Sequence, residues 1–218
     1  VAKGYALSDV VKAANKAMGE IDMPADFTWQ FGGTFEDQQD TFSDMIMLMA
    51  LIIVLVFIIM ASQFESLTYP FVIMFSIPFA LTGVLMGLFV TGTPLSIMAM
   101  LGLLMLIGIV VNNGIVLIDY IMLCRERGLG LVNAIVTSGR SRLRPILMTT
   151  LTTVIGMIPM AVGKGEGSEM WRALGMSVAW GLSFSTLITL IIIPTLYSVF
   201  ARIGIKRARK KELKTLKK

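Results

Sequence analysis

Histidine is absent from all 218 residues, and cysteine occurs once, at Cys124. Those two absences remove imidazole acid–base chemistry, multi-cysteine metal sites and any intrachain disulfide, and they count against a zinc or haem centre. No glycine stretch has phosphate-loop spacing, and no Ser, Thr or Cys has a histidine to activate it, so neither ATP hydrolysis nor triad hydrolysis is encoded. The expectation is a protein that is not an enzyme and uses no cofactor and no metal. Charge is scarce as well: Asp, Glu, Lys and Arg make up 15% of the chain against 56% hydrophobic residues. With a mean hydropathy of +0.80, that balance is wrong for a soluble domain and points to the membrane. The chain does not begin with Met, and its first 40 residues carry no signal-peptide pattern, so a piece of a longer chain is expected.

The charge that is present is unevenly placed. Nine of the nineteen basic residues follow Ala201, opposed only by Glu212. Such a tail can bind nucleic acid, or it can stop a membrane span at the cytoplasmic face beside anionic lipid. The adjoining apolar run favours lipid over nucleic acid.

Residues 1–42 are the part with a water-soluble pattern. Ser8 can cap a helix through about Met18, whose apolar face holds Val10, Val11 and Ala14. Pro24 ends it, and the alternating run DFTWQF reads as a strand with Phe27, Trp29 and Phe31 on one side. Gly32 and Gly33 turn the chain, and Thr34 can cap a second helix. One helix and one strand cannot close a core, so this reads as the end of an α+β domain or as a docking piece.

Five apolar segments follow, near 43–61, 70–91, 95–123, 143–162 and 171–200. Each is long enough to cross roughly 30 Å of hydrocarbon. The fold class expected is therefore an all-α polytopic membrane bundle of about five helices with a short α+β remnant at its N-terminus, and residues 201–218 form a basic tail. Arg125, Arg127, Arg140, Arg142 and Arg144 flank the third connection, which with the tail should be cytoplasmic. Five spans then put the N-terminus outside. Between Gly128 and Gly139, Leu131, Val132 and Ile135 can share a side of a short helix lying on the membrane or packed under the bundle.

Polar residues inside the spans are few enough to count. Asn112 and Asn113 stand side by side in GIVVNNGIVLID, about 15 Å in from the cytoplasmic end of the third span. Asn112, Val116 and Asp119 share a helical face, and Asn113 lies about 100° round from Asn112. Two amides can simply glue helices together, and Asp119, nearer the surface, can pair with Arg125 or face water. In the fourth span Arg142 and Thr149 stand seven residues apart on one face. An arginine there can merely snorkel, and threonines can bond their own preceding turn. The sharper possibility is a wet helix interface where the asparagines meet Arg142 and Thr149. No Asp or Glu lies near the middle of any span, so a titrating carboxylate would have to come from another segment.

Three stretches then carry a family resemblance: FESLTYPFVIMFSIPFALTG at 64–83, GIVVNNGIVLIDY at 108–120, and RLRPILMTTLTTVIGMIPMA at 142–161 with Gly163 and Gly165 beyond. Over essentially all 218 residues the chain resembles the C-terminal membrane half of a resistance-nodulation-division efflux pump, of the hydrophobe/amphiphile-exporting branch. The resemblance implies a drug/proton antiporter of the bacterial inner membrane with twelve spans. Residues 43–200 would be spans eight to twelve and residues 1–42 the end of a periplasmic porter subdomain. It implies that Asn112, Asn113, Arg142 and Thr149 form half of a proton relay whose acidic pair sits in span four, with Asp119 a secondary polar position. Many members carry lysine where Asn112 stands, so the charge at that point differs. The implied partners are the remainder of the pump, two further copies in a homotrimer, a periplasmic adaptor and an outer-membrane channel. A structural or partner-binding membrane subunit without transport of its own is the competing reading.

Overall fold

A computed structural model of the chain describes residues 7–20, 34–163, 165 and 167–215. Among them every element is a helix: α1 (Leu7–Gly19), α2 (Thr34–Phe64), α3 (Thr68–Met74), α4 (Ser76–Thr91), α5 (Ile97–Glu126), α6 (Leu131–Val162) and α7 (Ser168–Thr215). The chain divides into two compact units, one ending at Leu48 and the other starting at Met49.

The α+β expectation for the N-terminal region is corrected. The described residues hold no strand and no sheet, and the class is all-α. The physical reason is pairing: a strand needs a ladder partner for its backbone groups, and the described residues, whose every element is a helix, supply none. The DFTWQF segment on which that expectation rested lies outside the described residues.

Five helical runs are long and apolar enough to span a membrane: Gln39–Phe64, Thr68–Thr91, Ile97–Glu126, Leu131–Val162 and Met170–Arg202. In hydrocarbon only internal hydrogen bonding satisfies the backbone, so unbroken apolar sequence settles into helix there. The second run is interrupted once. Pro78 has no N–H to offer the Met74 carbonyl and its ring crowds that carbonyl, so α3 gives way to α4 at Phe75. At the same break the Ser76 hydroxyl donates to the Ile73 carbonyl at 2.7 Å.

The 128–139 segment forms no separate surface helix. From Leu131 it is the first part of α6, which continues through Pro145 and Pro159. Ala134, Ser138, Ile146 and Thr150 are all buried and lie at four-residue steps that skip only Arg142. One inward stripe thus crosses the expected junction and makes a single helix of the two segments.

The long helix α7 lies at the centre of the second unit, against α4, α5 and α6. Lipid gives no hydrophobic drive between helices, so close van der Waals fit must supply the association. Gly83 shows how tight that fit is: a Cβ placed there would stand 2.7 Å from the Cβ of Phe184 on α7. Buried hydroxyls on α7 mostly bond their own preceding turn, as Ser177 does to the Ala173 carbonyl at 2.8 Å. Thr150 and Thr186 instead join α6 to α7 through their hydroxyls at 3.3 Å. From Met49 onward α2 buries only its last turns, with Met60 and Phe64 in the core, while Leu51, Val54, Leu55, Ile58 and Ile59 are exposed.

Candidate functional site

The helices α5 and α6 run antiparallel, and the side chains that meet across them define two levels. Asn113 on α5 and Thr149 on α6 form one such level. Tyr120 and Arg142, each seven residues nearer the connection, form another. The two levels stand two turns apart, about 10 Å along the axis.

At the deeper level the helices part around a cavity of about 250 Å³. Its exposed lining is mostly apolar, with Ile109, Val116, Pro145 and Ile146 on the wall, and Asn112, Asn113, Thr149, Thr150 and Thr153 are its polar residues. Gly114 backs the asparagine pair, where a Cβ would meet Cγ2 of Ile73 at 2.8 Å and Cδ1 of Ile193 at 3.1 Å. That absence of a side chain lets α3 and α7 close behind α5 and turns the amides toward the open side. Asn112 is exposed and Asn113 half-buried. Neither amide has a hydrogen-bond partner among the described residues. Thr149 donates to the carbonyls of Ile146 at 2.9 Å and Pro145 at 3.2 Å, and Thr153 to that of Thr149 at 3.0 Å. These hydroxyls therefore keep their oxygens free to accept from within the cavity.

Of the residues the sequence singled out, Asn112, Asn113 and Thr149 line one cavity, and Arg142 is not among its lining residues. The Arg142 guanidinium instead lies over the ring of Tyr120, Cζ standing 4.4 Å from the centroid. Its Nε is buried with no hydrogen-bond partner. Asp119 is exposed and lines a second cavity, of about 320 Å³, together with Glu65 and Glu126. It forms no ion pair with Arg125 among the described residues. Nor is any group of three or more His, Cys, Asp or Glu side chains placed there to hold a metal ion.

Tyr120 escaped the sequence reading, and counting outward from the α5–α6 connection does not find it, because Tyr120 is six residues from the end of α5 at Glu126 whereas Arg142 is eleven from the start of α6 at Leu131. The arrangement can hold a polar group between helices: Asn112, Asn113, Thr149 and Thr153 line a space that the described residues leave unfilled, while the Thr150 hydroxyl is engaged with Thr186 and a cation stands one level away.

The profile of the AcrB/AcrD/AcrF family matches residues 1–201. The chain belongs to this family. Within it, the Bacillus subtilis (strain 168) swarming motility protein SwrC is 40% identical over 199 residues, covering 91% of this chain and 19% of SwrC. A Proteus mirabilis (strain HI4320) multidrug resistance protein, MdtC, is 35% identical over 201 residues, covering 92% of this chain and 20% of its own length. Among solved structures, a heavy metal efflux pump superposes with a TM-score of 0.80 at 29% identity, over 92% of this chain and 20% of the pump. A second crystal form of a heavy metal efflux pump gives a TM-score of 0.79 at 28% identity. The chain thus spans about a fifth of the length of the relatives it matches. As a part of the membrane domain of a resistance-nodulation-division protein, it belongs in the bacterial inner (cytoplasmic) membrane.

Proposed function

We propose that this chain supplies the C-terminal membrane portion of a proton-driven exporter of hydrophobic or amphiphilic compounds, and that Asn112, Asn113, Thr149 and Arg142 are its share of the proton-coupling relay. The observation that carries the reading is the cavity between α5 and α6, where two unpartnered amides face the outside of the five-helix bundle. An amide pair left unsatisfied in hydrocarbon costs roughly 1–3 kcal/mol or more per group. A partner from another segment removes that cost, and a carboxylate pair in that segment would accept from both amides. An amide cannot titrate, so it serves as the passive half: it holds the carboxylates while they are ionised and releases them when they gain a proton.

The partners follow from the same reading. They are the rest of the pump with its acidic pair, two further copies in a trimer, and a periplasmic adaptor with an outer-membrane channel. Residues 43–200 act as the membrane part, 1–42 as the end of the periplasmic part and 201–218 as a cytoplasmic tail, which puts the N-terminus in the periplasm. The printed names of the relatives run from multidrug resistance to swarming motility and heavy metal efflux. So wide a range over one membrane scaffold supports a cargo choice made outside these residues. In the assembled transporter, replacing Asn112 and Asn113 together by Leu is expected to cut export driven by an imposed pH gradient by about tenfold or more while the protein level is unchanged. Unchanged export would sink the relay.

A further inference from the structure

Arg142 carries a full charge into a half-buried position and finds no carboxylate and no carbonyl for its Nε. What it has is the face of the Tyr120 ring, 4.4 Å from Cζ to the centroid. A ring face attracts a guanidinium through its quadrupole, and the attraction grows as water is removed. It differs from an ion pair in one respect that matters here. A buried ion pair is costly to separate because each partner is left charged and unsatisfied. A tyrosine ring is neutral when the cation leaves, so only the cation must find a new place.

Such a place lies two turns deeper, where Asn112, Asn113 and Thr149 line a cavity that Arg142 does not line. Val116 stands between the two levels, one turn from Tyr120 and one turn from Asn112, and it too lines the cavity. No charged side chain is among the cavity's lining residues. A guanidinium resting on a neutral ring thus stands beside an unfilled cavity that has amides and hydroxyls on its wall and no charge of its own.

We propose that Tyr120 is a positioning residue that parks Arg142 outside the amide cavity in one state of the transport cycle. The assignment rests on the reading that Arg142 belongs to the relay. Tyr120 touches neither cargo nor proton, and it acts by setting where the arginine waits. When the segment that fills the cavity changes its charge, Arg142 leaves the ring for the deeper level, and the return to Tyr120 resets it.

The experiment replaces Tyr120 in the assembled transporter by phenylalanine and then by its mono-, di- and trifluorinated forms. Fluorine drains the negative ring face in steps and changes the ring size little, so packing is held nearly constant while the cation attraction falls. Export driven by an imposed pH gradient is measured in membrane vesicles at matched protein levels, with Arg142→Leu assayed alongside. The expected result is a stepwise fall in export, about three- to tenfold from phenylalanine to the trifluorinated ring, with export abolished in Arg142→Leu. Export that is flat along the fluorine series but lost in Arg142→Leu overturns the role of Tyr120 and leaves the relay standing. Export that survives Arg142→Leu removes the arginine from the relay, and the proposal falls with it.

Discussion

At Asn112 the side chain is polar without being charged, and the difference from lysine is consequential for any carboxylate that meets it. A cation about 4–6 Å from a carboxyl group lowers its pKa by about 1–3 units, whereas an amide donor stabilises the ionised form without adding a charge. If the acidic pair lies against this cavity, Asn112→Lys holds the pair ionised to lower pH, and protonation then requires more acid. The half-maximal pH of export is therefore expected to move down by about 1–3 units, measured as drug export against external pH. An unmoved profile would place the pair elsewhere. Thr150 and Thr186 give a purely structural counterpart. Their 3.3 Å contact joins two spans, and bonds of this kind average about 0.6 kcal/mol in membrane proteins. A double-mutant cycle of Thr150→Val and Thr186→Val should return a coupling of that size in an unfolding assay. The asparagines were legible in the sequence because amides amid Ile, Val and Leu demand a partner. The displacement of Arg142 toward Tyr120 was not, because helical periodicity fixes a residue's face but leaves the direction of a long flexible side chain to its neighbours.

On each helix, glycine positions separate close contact from open surface. Gly83 meets α7, where an added Cβ would press on Phe184 at 2.7 Å and on the Gly181 Cα at 3.1 Å, while Gly108 has nothing within 4 Å. Gly83→Ala is therefore expected to destabilise the purified chain by about 1–3 kcal/mol. Gly108→Ala should leave it unchanged or raise it by up to about 1 kcal/mol through helix propensity. Thermal unfolding in one detergent compares the two, and equal effects would mean that α4 does not pack on α7 as described. Gly83 and Gly87 stand four residues apart, a GxxxG spacing that permits close packing but does not name the partner. Helices were readable for a stronger reason: an apolar run in hydrocarbon has no other way to satisfy its backbone. The strand expectation rested on the alternation of six residues, which specifies a strand only when a second strand is there to pair with it. The continuity of α6 was hidden because Gly128, Gly130 and Gly139 suggested interruptions, whereas the buried stripe from Ala134 to Thr150 joins both sides of Gly139 into one helix.

Taken whole, the molecule exposes apolar surface along α2 and along the outer face of α6, where Met148, Leu151, Ile155 and Ile158 are uncovered. Lipid covers such surface at no cost, and so would further helices, which fits a bundle that is one part of a pump. Reconstituted alone, it is expected to show no proton-coupled export, because no span carries a carboxylate near its middle. Orientation is the remaining whole-molecule property, and the α5 helix allows a clean test of it. Leu95 precedes that helix and Leu129 follows it, exposed by 51% and 37%. Thirty helical residues separate them, about 45 Å of length, so in an intact membrane they must emerge on opposite sides. The arginines at 125, 127, 140, 142 and 144 argue that Leu129 is on the cytoplasmic side. The native Cys124 is only 3% exposed and should stay silent toward a membrane-impermeant maleimide until the protein is denatured, so it need not be removed. In intact spheroplasts Leu95→Cys is expected to label, and Leu129→Cys only after lysis. The reverse pattern would invert the chain and carry the N-terminus to the cytoplasm. Labelling of both from outside would mean that α5 does not cross the membrane.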